Sequence, residues 1–169
     1  MFARVRKAAL ACVAASAIAL TGCTASGWQP NVPPAAGVQG ELAVTQGNGA
    51  AASEKARNVL FVVDDEGKGL LAGTVASVDG TQVQAIHYAP EKPDGSFGEP
   101  STLDFQATVP ADGTARFEEK PVTVKNADLT PGRNARVVIE LSTGSIPLEV
   151  PVYSNTHPDF EKLWETTQS

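Results

Sequence analysis

The sequence predicts an all-β chain: an antiparallel β-sandwich with a short C-terminal helix, preceded by a signal peptide and a disordered tether. Three observations carry that expectation. Apolar residues recur at every second position through several segments beyond residue 70. Turn-forming residues break these segments every 8–12 residues or so, the rhythm of a sandwich. No amphipathic helix interrupts them before the last dozen residues.

The strands follow in order. Asn58–Val63 (NVLFVV) is continuously apolar, as a buried strand should be. LLAGTVASV (70–78) and TQVQAIHYA (81–89) flank Asp79-Gly80, a hairpin signal. In LDFQATV the residues Leu103, Phe105, Ala107 and Val109 share one face. PADG (110–113) then turns the chain toward residues 114–117, and Val122 and Val124 alternate again. Pro131-Gly132 precedes Ala135, Val137, Ile139 and Leu141; STGS (142–145) leads into Ile146, Leu148, Val150 and Val152. The tail changes period. Phe160, Leu163 and Trp164 have helical spacing, and Pro158 suits a first helical turn. This stripe is expected to plug one end of the sandwich; its alternative use is to dock a partner protein.

Upstream, Arg4, Arg6 and Lys7 precede an apolar run from Ala8 to Leu20. That is the charged head and short greasy core of a secretory signal. A bilayer span needs about 20 apolar residues, more than this run supplies. Leu20, Thr21, Gly22 and Cys23 then form a lipobox, in which small residues fit a signal peptidase and the thiol takes a diacylglycerol. Residues 1–22 are thus expected to be a lipoprotein signal peptide, with Cys23 as the lipidated new N-terminus. Cys12 leaves with the leader, so no disulfide, thiolate metal site or cysteine nucleophile is expected. Several acyl chains on one residue hold far more firmly than one. The expected location is the extracytoplasmic face of the cell membrane.

Residues 23–53 are rich in Ala, Gly, Pro, Gln, Asn and Ser, and read as the lipidated cysteine and a disordered tether. Trp28 is its one aromatic residue. Residues 54–169 are then the folded domain. Of thirteen Lys and Arg, three lie in the leader; the remaining ten face nineteen Asp and Glu, a charge of −9. So acidic a chain is not expected to bind nucleic acid, which demands basic patches.

At ARNVLFVVDDEGKGLLAGTVAS (56–77) and LTPGRNARVVIELSTGSIPLEVPVYSNTHPDF (129–160) the chain resembles the actinobacterial LpqE-type lipoproteins. The resemblance implies an immunoglobulin-like or cupredoxin-like sandwich held in the envelope. It also implies a role as accessory subunit on the outer face of the cytochrome bcc–aa3 supercomplex. The sandwich is similar, more distantly, to PCuAC-type copper chaperones, whose methionine and histidine cluster suits Cu(I). Here the one methionine is Met1 and the histidines are His87 and His157, so that ligand set is absent.

The remaining candidates read as structure. Asp64, Asp65 and Glu66 in DDEGKG form a solvated turn rather than a calcium loop, whose longer ligand register is missing. PDGSFGE around Asp94 is a loop with a turn signal. His87 belongs to a strand surface and His157 shapes the turn into the tail helix. There is no G-x-S-x-G elbow, phosphate loop or dinucleotide fingerprint. The sequence therefore predicts no catalysis, no cofactor and no metal. The favoured role is a noncatalytic adaptor or accessory subunit of a membrane protein complex. Its competitor is a small-ligand or metal carrier using His87 and the acidic loops.

Overall fold

A computed structural model describes residues 36–42 and 53–165, which belong to one compact unit. The described strands are β1 (Val38–Glu41), β2 (Glu54–Val63), β3 (Lys68–Ser77), β4 (Thr81–Pro90) and β5 (Ser101–Leu103). They continue with β6 (Ala107–Val109), β7 (Gly113–Arg116), β8 (Val122–Lys125), β9 (Asn134–Leu141) and β10 (Gly144–Ser154). A 3₁₀ turn at Phe117–Glu119 follows β7; another at Pro158–Phe160 leads into α1 (Glu161–Glu165). The fold is all-β and sandwich-like. In sheet A, β2 pairs with β1 and β3, and β3 pairs with β7 and β8. In sheet B, β9 lies between β10 and β4, and β4 pairs with β5 and β6.

Period-two alternation builds the core from both sheets. Phe61, Val63, Leu71, Val75, Phe117, Val122 and Val124 meet Ile86, Tyr88, Leu103, Val137, Ile139, Ile146, Val150 and Val152. Phe61 contacts Tyr88 at 5.5 Å between ring centroids, and Phe105 meets Phe117 edge-on at 5.2 Å. Such tilted and edge-on pairs are the favoured geometries of aromatic quadrupoles.

Strand β10 joins the sheets. Its first part pairs antiparallel with β9, and Val152–Ser154 pair in parallel with Phe61–Val63 of β2. Val152 both donates to the Arg133 carbonyl and accepts from Gly132 N–H, so its backbone faces β9. Pro147 and Pro151, at positions of the other parity, turn their missing N–H to the opposite edge, where β9 loses nothing. The purely antiparallel expectation is therefore corrected: the sheet is mixed, because β10 reaches β2 running in the same direction.

Three further expectations need correction. The 70–89 segment is not a hairpin, since β3 lies in sheet A and β4 in sheet B. Both edges of β3 are taken, by β2 on one side and by β7 and β8 on the other. Gly80, at φ +87°, turns the chain across to the other sheet instead. The 103–109 segment is two short strands rather than one. Phe105 N–H turns back to the Leu103 carbonyl at 3.0 Å, and this kink drops its ring into the core. Finally, residues 38–41 are not tether. Strand β1 pairs with β2, Val38 packs on the core, and Leu42 N–H reaches the Glu54 carbonyl at 3.1 Å.

Candidate functional site

Sheet A has an outer face, and the sequence divides it in two. Leu60 and Val62 of β2 and Leu70 and Ala72 of β3 point away from the core yet are buried. They are covered by Phe160, with Tyr153, Leu163 and Trp164 packed around it. The tail helix thus lies over a sheet face, not over an end of the sandwich. This explains why residues 59–63 read as unbroken apolar sequence: both faces of β2 are covered there. His157 caps the turn, its Nδ1 accepting from Asp159 N–H at 3.3 Å, and its ring stacks 5.3 Å from Phe160. Tyr153 lies 4.8 Å from Phe160, and its hydroxyl donates to the Ala36 carbonyl at 2.9 Å.

The other half of that face is polar. A β-bulge separates the halves: Arg57 pairs with Thr74, but Leu60 pairs with Ala72, so β2 carries one extra residue. Asn58 sits there at φ +54°, opposite Gly73 at φ +143°. An L side chain at Gly73 would be strained by that φ and crowded by Val59 and Phe117. The displaced Gly73 N–H is satisfied by Glu118 Oε1 at 3.1 Å. Bulges re-aim side chains and gather beside functional sites. Here the bulge borders an open cleft of about 540 Å³ lined by Arg57, Asn58, Thr74, Thr114, Arg116, Glu118 and Glu119. Alternation puts Arg57, Thr74, Thr114 and Arg116 outward, because Ala56, Val75 and Ala115 face the core.

On the outer face of sheet B, three strands bring together Thr102, His87 and Glu140. His87 Nδ1 lies 2.9 Å from Thr102 Oγ1, and Nε2 lies 3.4 Å from Glu140 Oε1. Hydroxyl, imidazole and carboxylate stand in triad order. Yet β4 is paired on both edges, so its backbone N–H groups serve the sheet rather than an oxyanion. We read the row as a cross-strand polar contact. A second cleft of about 500 Å³, lined by Gln82, Gln84, Gln106 and Thr108, carries no charge.

The acidic loops are turns. Asp64 Oδ1 accepts from Glu66 N–H at 3.0 Å and Lys68 N–H at 2.9 Å, tying off the β2–β3 hairpin. Asp94 Oδ1 accepts from Ser96 Oγ at 2.7 Å and Ser96 N–H at 3.0 Å. Those bonds, the side-chain one foremost, hold its carboxyl below the usual carboxylate range. Among the described residues no three His, Cys, Asp or Glu side chains are grouped as metal ligands are.

Leu20, Thr21, Gly22 and Cys23 lie outside the described residues. Two features were missed from sequence. One is the arginine row of the cleft, which depends on register between distant strands. The other is Glu54, buried to 1% exposure, whose Oε2 accepts from Ser53 Oγ while Oε1 has no partner among the described residues. No protein-family model, curated protein or solved structure matches this chain.

Proposed function

We propose that this chain is an extracytoplasmic lipoprotein, anchored through Cys23, whose β-sandwich serves as a noncatalytic adaptor or accessory subunit of a membrane protein complex. The lipobox at residues 20–23 carries this reading. The fold adds a length argument. The described domain begins at Ala36, and twelve residues, 24–35, separate it from Cys23. At 3.3–3.6 Å per residue, that linker reaches at most about 45 Å even when fully extended. The domain is therefore held close to the membrane, within reach of the extracytoplasmic parts of integral proteins. Flat sheet faces and shallow, open clefts suit protein contact better than turnover of a small substrate, which calls for an enclosing pocket.

The resemblance to LpqE-type lipoproteins supports a respiratory partner, the cytochrome bcc–aa3 supercomplex. Crosslinking in intact cells, followed by identification of the joined proteins, tests the role. The expected product is an integral membrane protein joined to this chain, lost in Cys23→Ser. Crosslinks confined to soluble proteins would contradict the adaptor reading.

A further inference from the structure

Half of the cations beyond Cys23 share one sheet face, beside Glu41, Glu118 and Glu119. Ten Lys and Arg follow Cys23, and five of them, Lys55, Arg57, Lys68, Arg116 and Lys125, project from the outer face of sheet A. Lys55 is paired with Glu41 at 2.9 Å. Arg57 and Arg116 have no ion pair among the described residues. Register places them in one row, Arg57 opposite Thr74 and Thr74 opposite Arg116. Neighbouring strands stand about 4.8 Å apart, so the two arginine backbones are about 9.5 Å apart across the threonine.

Two flexible guanidinium side chains close easily over that span. Their like charges repel unless an anion lies between them. Thr74 supplies a hydroxyl between the two, and Thr114 and Asn58 add neutral donors on the cleft wall. Donors approaching from two sides and from below fit a tetrahedral oxyanion better than a planar carboxylate. Glu118 and Glu119 also line the cleft, Glu118 Oε1 held by the Gly73 N–H and Glu119 exposed to solvent, so an incoming anion must compete with these two carboxylates for the arginines. The bulge adds a reason for the site's position, since Asn58 is swung into the cleft where a regular strand would continue the ladder.

We propose that this cleft binds a phosphate group, clamped between Arg57 and Arg116 over the Thr74 hydroxyl. The ligand class is a phosphate ester or free phosphate. The site does not depend on the anchor at Cys23.

The test uses the full chain purified in neutral detergent, titrated calorimetrically in three arms. These are inorganic phosphate, glycerol phosphate, and micelles doped with phosphatidylglycerol. Binding only to the doped micelles assigns a lipid headgroup; binding to the soluble phosphates assigns a free ligand. In either case R57Q/R116Q should weaken binding about ten-fold or more, because two charge-assisted contacts are lost. K92Q/R133Q, an equal charge change away from this face, should change it less than about two-fold. Thr74→Val keeps both charges and the side-chain shape, and should weaken binding about three-fold through one lost hydrogen bond. It also keeps the proposal testable if the double variant fails to fold. Equal losses in R57Q/R116Q and K92Q/R133Q would overturn the site, as would acetate binding as tightly as phosphate. Absence of binding in all three arms up to about 10 mM would overturn it too.

Discussion

Asp64 is the clearest place where one side chain separates two readings of an acidic loop. Its Oδ1 accepts from two backbone N–H groups, so Asp64→Ala should cost about 1 kcal/mol or slightly more in a denaturant melt. Asp64→Asn retains an acceptor oxygen and should cost less than half of that. A calcium loop would behave otherwise, with wild-type stability rising in millimolar calcium and both variants losing the rise. Gly69 shows the opposite kind of constraint. A Cβ there would strike the Val62 carbonyl, so Gly69→Ala should lower stability by about 2–3 kcal/mol although it adds only a methyl group. Asp94 sets an acid limit on its own loop. Its carboxyl is held low in the folded state, so its stabilising effect is present above the ordinary carboxylate pKa. That effect is lost as pH falls through the lowered folded value. Ser96 amide protection should therefore decline below about pH 4, and Asp94→Ala should remove this dependence. Both acidic turns were legible from their Asp and Gly residues alone. The buried carboxylate of Glu54, one oxygen of which has no partner among the described residues, was not, because nothing local in its sequence announces that its strand position faces inward.

At the scale of elements, alternation told which residues face the core but not which strands pair. Residues 70–89 carry a sound hairpin signal, yet the neighbours of β3 are already chosen by residues some 40 positions further on. Residues 36–42 looked like tether from composition. They are ordered because β2 offers an open edge and Val38 can reach the core. The Leu42 amide should accordingly exchange slowly with solvent, and exchange as fast as in an unstructured peptide would remove β1 from the domain. The tail makes a sharper case. Helical spacing identified Phe160, Leu163 and Trp164, but not their depth. Phe160 is 7% exposed, whereas Leu163 and Trp164 are only half-buried. Phe160→Ala should thus cost about 3 kcal/mol, and Trp164→Ala about half as much. An unchanged melt for Phe160→Ala would detach the tail from sheet A and return the stripe to the role of partner anchor.

For the whole molecule, the central relation is between a net acidic chain, a cluster of cations on one sheet face and a proposed anchor at Cys23, twelve residues before the described domain. The acidity argues against adhesion to anionic lipid by charge alone, so the proposed membrane residence rests on the lipobox at Cys23. Cys23→Ser should move the protein from the membrane fraction to the soluble fraction, or leave it unprocessed with its leader attached. The arginine row is the proposed place for such a domain to meet a phosphate, while the apolar half of the same face is covered by the tail. Mass spectrometry of the N-terminal peptide from membrane-extracted protein tests the account most directly. It should begin at Cys23 and carry a diacylglycerol on sulfur. A membrane-bound mature protein beginning elsewhere, or with an unmodified Cys23, would contradict the account.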